Sequence, residues 1–259
     1  MSEHLYGRRP ALEALRANRR EAQALLLAEG IEDSGAVSDL IRLAAERGLP
    51  VKYVPRAVLA DLAHTGQHQG VLLKVSDYPY ADLEDPLGLA QQRGEQPFLL
   101  MLDLLQDPQN VGALLRVAEA VGVHGVYIQE RRAAEITPAV VRASAGAVEH
   151  LLVVQVKNLV NAMRRLKEMG IWMVGMEAAP DAQPFDQVNL GGATGLALGN
   201  EGKGLRRLVR ETCDLAIQLP MRGQIESLNV ATAGAVGLYA IWQARGWRGW
   251  ERPAPPAAS

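Results

Sequence analysis

Three separated stretches of this chain hold the residue types that could do chemistry. The first, 107–116, reads DPQNVGALLR and places Asn110 and Arg116 on either side of the small residues Gly112 and Ala113. Asp107 suits a helix N-cap and Pro108 the first helical turn. Val111, Leu114, Leu115 and Ala118 then form a core-facing stripe. Gly112, Ala113 and Arg116 fall on another face, where small residues would admit a polymer backbone while the guanidinium reaches a phosphate. The second stretch, GNEGKG at 199–204, sets Glu201 among three glycines. Such a turn exposes main-chain groups to a ligand. It is no P-loop, because Ala197 stands where that motif needs glycine and Gly204 where it needs Ser or Thr. The third, LPMRGQIESLNV at 219–230, runs from an apolar strand into a polar loop. Ser227 is a suitable N-cap for the helix beyond, whose free amides and dipole favour an anionic group. That helix contains Gly234 and Gly237. Each interior glycine costs about 1 kcal/mol relative to alanine, so something should pack closely there.

Taken singly, each stretch also fits an ordinary strand-to-helix connection. All three nevertheless share one topology, a strand end meeting a helix start, and open α/β sheets bind ligands at the carboxyl ends of their strands. No histidine lies in them, and no His/Cys/Asp cluster has the spacing of metal ligands, so no metal is expected. The lone cysteine, Cys213, has no neighbouring histidine and reads as structural.

The elements around these stretches alternate between strand and helix. In residues 1–75, ALEALRAN, VSDLIRLAAERG and AVLADLAH are helical in pattern, and ALLLAEG, VKYVP and GVLLKVS are short strands. A proline-rich acidic linker with one short helix is expected at 76–96. From 97 to 245, apolar strands (PFLLMLDLL, GVYIQ, LLVVQV, IWMVGME, TGLALG, LAIQLP) alternate with helices, the last from about 228 to 243. Continuous apolar strands between helices predict a parallel sheet covered on both faces. Residues 246–259, rich in Pro and Ala, read as a disordered tail.

The net charge of −2 does not announce a nucleic-acid partner. It conceals near-neutral ends and an acidic middle: 10 Lys/Arg against 9 Asp/Glu in 1–75, 1 against 5 in 76–96, and 16 against 15 in 97–259. Arginine pairs at 8–9, 19–20, 131–132, 164–165 and 206–207 read most simply as solvated surface. No apolar run reaches the roughly 18 residues of a membrane span, and the N-terminus lacks the apolar core of a secretory signal. With one cysteine, this suggests a cytoplasmic protein.

The spaced residues N-x-G-A-x-x-R (110–116), G-N-E-G-x-G-L (199–205) and L-P-M-x-G-x-x-x-S-L-N-V (219–230) resemble the three motifs of the SpoU (TrmH-like) family of RNA ribose 2′-O-methyltransferases. SAGAVEHL (144–151) matches that family too. GRRPALEAL (7–15) and HQG (68–70) resemble its RlmB-type branch, which methylates a guanosine in the peptidyl-transferase region of 23S rRNA. The resemblance implies an α/β fold of SPOUT type, a parallel sheet with a C-terminal trefoil knot. Ahead of it would stand a small α/β RNA-binding domain resembling ribosomal proteins. It implies S-adenosylmethionine held by the main chain at Gly199, Leu219 and Leu228, and a homodimer. It implies catalytic roles for Asn110, Arg116, Glu201, Ser227 and Asn229. Ala231, where many relatives carry serine, departs from the pattern and puts a polar contact there in doubt. Two rival readings fit less of the sequence: a relative acting on tRNA or another rRNA site, and a non-catalytic RNA-binding or ribosome-assembly factor.

Overall fold

The structure, a computed structural model, describes residues 2–32, 35–200, 202, 204–225 and 227–250. Two sheets organise the chain. The first unit contains β1 (Ser2–Tyr6), α1 (Arg8–Ala17), β2 (Ala22–Ala28), α2 (Gly35–Glu46), β3 (Val51–Val54), α3 (Arg56–Ala63) and β4 (Val71–Ser76). Its strands lie in the order β1-β4-β2-β3, with only the β2–β3 pair parallel. The sequence reading missed β1, whose polar SEHLY carries little apolar signal.

After α4 (Asp85–Gln92), a seven-stranded sheet follows in the order β7-β6-β5-β10-β8-β11-β9, with every pair parallel. Its strands are β5 (Phe98–Leu102), β6 (Gly125–Gln129), β7 (Val153–Val156), β8 (Trp172–Met176), β9 (Gln183–Pro184), β10 (Thr194–Leu198) and β11 (Leu215–Gln218). The helices between them are α5 (Pro108–Ala120), α6 (Pro138–Ala143), α7 (Leu159–Glu168), α8 (Arg207–Thr212) and α9 (Val230–Ala244). Consecutive side chains of a strand point to opposite faces, so a strand buried on both sides must be apolar throughout. Strand β5 obeys this: Phe98, Leu100 and Leu102 join one core, and Leu99 and Met101 join another. Helices α5, α6 and α9 fill the first core, whereas α7 and α8 fill the second.

Two buried histidines are held neutral. In each, Nδ1 accepts a backbone N–H at 3.0 Å, from Phe98 to His124 and from Gly70 to His68. Burial holds both below the ordinary value of 6.5, in His124 against the pull of Glu95. A depressed folded pKa means that the stability they contribute is complete above 6.5 and is lost as pH falls from there through the lowered folded value. Lowering the pH from about 7.5 to about 5.5 should therefore reduce the melting temperature. The double variant His68→Gln/His124→Gln should show a smaller drop in scanning calorimetry. An equal drop would remove these two residues from the explanation.

Candidate active site

Three loops meet at the carboxyl edge of β5, β10 and β11. Helix α5 starts as the sequence predicts: Asp107 caps it, its carboxylate accepting the N–H groups of Gln109 (3.3 Å) and Asn110 (3.1 Å), with Pro108 in the first turn. Asn110 lies 2.9 Å from Asn229, whose side-chain Nδ2 donates to the Asn110 side-chain oxygen Oδ1. The same Asn229 caps α9, its oxygen accepting from Ala231 (2.9 Å) and Thr232 (3.2 Å). The predicted cap at Ser227 is thus displaced by two residues. Ser227 is exposed and, among the described residues, makes no hydrogen bond. Asparagine and serine are comparable caps, so the choice falls to the one that also reaches Asn110.

The glycine-rich stretch is closed on itself. Asn200 and Gly204 form an antiparallel bridge, with Gly204 N–H donating to Asn200 O at 2.9 Å. A side chain on Gly199 would overlap the carbonyl carbon of Gly204 and the nitrogen of Leu205. The Asn200 amide donates to Leu104 O at 3.0 Å, which ties this loop to the one preceding α5. The following helix begins at Arg207, not within the glycine run as expected. Glu201 lies outside the described residues.

A group the sequence reading overlooked holds the far end of that loop. Asp103, at the end of β5 and with a fully buried side chain, accepts from Arg206 N (2.9 Å) and Nε (2.7 Å). A second pair, Arg210–Glu177 at 2.6 Å, sits beside it at the end of β8. The signal available was the buried-strand run PFLLML ending in an acid, since a carboxylate at such a place demands a partner. Cys213 is inert: burial pushes its thiol up to about 12.

The third loop, 220–228, makes no backbone–backbone hydrogen bond among the described residues. It exposes apolar side chains at Met221, Ile225 and Leu228, while Leu219 packs partly into the core. Free main-chain groups beside uncovered apolar surface suit a flat, partly apolar ligand such as a nucleoside. That is the fit a nucleoside-bearing cofactor requires. Beyond the loop, Gly234 lets α9 sit directly on Leu114 and Leu198, and Gly237 lets it sit on Met176. This is the close packing that the interior glycines implied.

One expectation for α5 changes. Gly112 is buried: a Cβ there would come within 2.8 Å of the Ala143 and Ser144 backbone. Its smallness therefore seats α6 and does not admit a polymer. Arg116 is exposed and, among the described residues, has no hydrogen bond or ion pair. Six residues beyond Asn110, it lies about 9 Å further along the axis and roughly a third of a turn away. Asn110 and Asn229 are thus brought together, and Asn200 is tied to the loop that leads into α5, while Arg116 lies further along that helix. No group of three His, Cys, Asp or Glu that could hold a metal occurs among the described residues. None of the described helices is long and apolar enough to cross a membrane.

The comparisons with known proteins agree with this geometry. Residues 97–239 match the SpoU rRNA methylase family, and residues 4–81 match a unit described as RNA 2′-O ribose methyltransferase substrate binding. YacO of Bacillus subtilis, whose name places it in the TrmH family of tRNA/rRNA methyltransferases, is 40% identical over 94% of this chain and 96% of its own. A Staphylococcus saprophyticus protein named for the same family is 35% identical over 95% of this chain and 97% of its own. Among solved structures, the SpoU methyltransferase AviRb of Streptomyces viridochromogenes, in complex with AdoMet, is 25% identical with a TM-score of 0.76. That match covers 95% of this chain and 91% of AviRb. A doubly covered parallel sheet whose three edge loops carry the family's motifs, behind a matching substrate-binding unit, makes this chain a member of the SpoU rRNA methylase family.

Proposed function

We propose that this protein transfers a methyl group from S-adenosylmethionine to a ribose 2′-hydroxyl of RNA, and that its substrate is a guanosine in the peptidyl-transferase region of 23S rRNA. The observation carrying the reading is the Asn229–Asn110 hydrogen bond at the carboxyl edge of the sheet, with a glycine-rich loop tied through Asn200 to the segment that leads into α5. Main-chain groups at Gly199, Leu219 and Leu228 hold the cofactor, which when bound supplies an electrophilic sulfonium methyl. The chain's residues supply position and electrostatics. Asn229 orients Asn110 toward the ribose, and Glu201 and Ser227 share the catalytic role of orienting Arg116, the ribose and the loop. A guanidinium stays protonated in proteins, so Arg116 takes no proton. It grips a phosphate of the target strand bidentately and polarises the hydroxyl through it.

Two further elements belong to this reading. The C-terminal part of the methyltransferase unit forms a trefoil knot, a rare topology that would lock the cofactor loop. The exposed stripe of α9, with Val236 and Tyr239 beside Phe185 and Trp247, lines a shallow apolar groove of about 350 Å³ and covers itself against a second copy, giving a homodimer.

The test is to map ribose methylation across rRNA and tRNA from cells with and without this protein. Loss of one 23S guanosine methylation is expected. Loss confined to tRNA moves the substrate, a reading kept open by relatives named for both RNAs. Calorimetry showing no heat with S-adenosylmethionine would leave only an RNA-binding role.

A further inference from the structure

Two signature stretches with no part in the site, GRRPALEAL at 7–15 and SAGAVEHL at 144–151, pack directly on each other. Ala145 and Gly146 both adopt positive φ, 54° and 88°, in the turn that follows α6. A Cβ on Gly146 would lie 2.7 Å from Glu13 Cβ and 3.1 Å from Pro10 Cα, so α1 rests against that backbone. On its other side, the same segment is the Ala143–Ser144 backbone that presses on Gly112 of α5. One turn of chain therefore separates the first helix of the substrate-binding unit from the helix bearing Asn110 and Arg116.

Around this contact lies a buried polar cluster. Arg20 Nε donates to Glu149 Oε2 at 3.1 Å, and both side chains are 1% exposed. A second contact, Nη2 to Oε1 at 3.1 Å, is electrostatic only, its angles being poor for a hydrogen bond. Arg20 also pairs with Glu3 at 2.7 Å and stacks 4.9 Å from the centre of the Tyr78 ring. The Tyr78 hydroxyl lies 2.8 Å from Leu151 O and 3.0 Å from Val148 O, and Arg19 donates to Leu151 O as well. His150 meets Glu13 at 2.9 Å. The apolar core runs without interruption from Leu12 and Leu15 of α1 to Val140 and Val148.

An apolar seam alone would hold the two units together but would tolerate sliding. A buried ion pair contributes little net stability over apolar residues of the same volume and satisfies its charges in one alignment only. We infer that Arg20, Glu149 and Gly146 are positioning residues for RNA methylation. They fix the angle at which the substrate-binding unit presents its RNA to α5. The inference rests on the proposed RNA substrate.

The test uses the full chain. Glu149→Gln should leave S-adenosylmethionine affinity within about twofold in calorimetry and the KM for a 23S rRNA transcript little changed. Its kcat should fall about tenfold, because RNA is still held but misaligned. The double variant Arg20→Met/Glu149→Leu should melt as high as the wild type yet keep the low kcat. Restored kcat in that variant, or unchanged kcat in Glu149→Gln, overturns the inference and leaves the pair a stability element. Amide hydrogen exchange needs no RNA: residues 8–17 and 144–151 should exchange faster in Glu149→Gln, and unchanged exchange overturns the seam. A wild type that methylates no 23S rRNA defeats the proposed substrate and leaves exchange to decide the seam.

Discussion

Replacing Arg116 by alanine should leave the fold and the cofactor heat intact while reducing RNA methylation turnover by about 10³-fold. The side chain is exposed and carries no internal bond among the described residues, so its removal should change stability by no more than about 0.5 kcal/mol. Whatever it contributes is made outside this chain. Arg116→Lys should recover little, because an ammonium offers one charged point where a guanidinium offers a planar fork to a phosphate. The measurement is single-turnover methylation of a 23S transcript, paired with calorimetry. Near-normal turnover in the alanine variant would remove Arg116 from the reaction.

Gly199→Ala should act at the opposite end of the reaction, weakening S-adenosylmethionine binding by about 100-fold or more. The added methyl meets backbone at Gly204 and Leu205, not the yielding end of a side chain. The loop cannot slide away. Its far end is held by the buried Leu205 side chain and by Arg206 on Asp103, and its near end continues the central strand β10. Overpacking typically costs about 1–3 kcal/mol, and tenfold in affinity corresponds to about 1.4 kcal/mol, so a strained cofactor loop loses most of its binding. Gly192→Ala is the control, since nothing lies within 4 Å of a Cβ there. Calorimetric affinity equal to the wild type in Gly199→Ala would show that the loop is not where the cofactor rests.

Much of the parallel sheet could be read from local pattern, because a strand covered on both faces has to be apolar at consecutive positions. FLLML of β5 and TGLAL of β10 announce themselves for that reason. The start of α5 was equally legible, as Asp-Pro is a local cap signal. What escaped depends on partners distant in sequence. Ser227 and Asn229 are equivalent as caps until Asn110, 119 positions earlier, selects one of them. Arg20 reads as a solvated arginine until Glu149, 129 positions later, closes over it. Gly112 carries no sign of whether its missing side chain makes room for a ligand or for Ala143. Strand β1 is polar and short, and only its pairing with β4 makes it a strand.

The seating of α9 on Leu114 and Leu198 also has a consequence in time. During synthesis, the strand and helix that carry Asn110 emerge long before Asn229 exists. At about 5–20 residues per second, the intervening 119 positions take roughly 6–24 s. Through that interval Leu114 has no α9 to cover it, and Asn110 has no Asn229 amide to accept from. The substrate-binding sheet, complete at Ser76, can fold meanwhile. The sheet of the first unit can thus be complete well before the Asn110–Asn229 pair forms, and the two arrive in a fixed order set by the position of one helix.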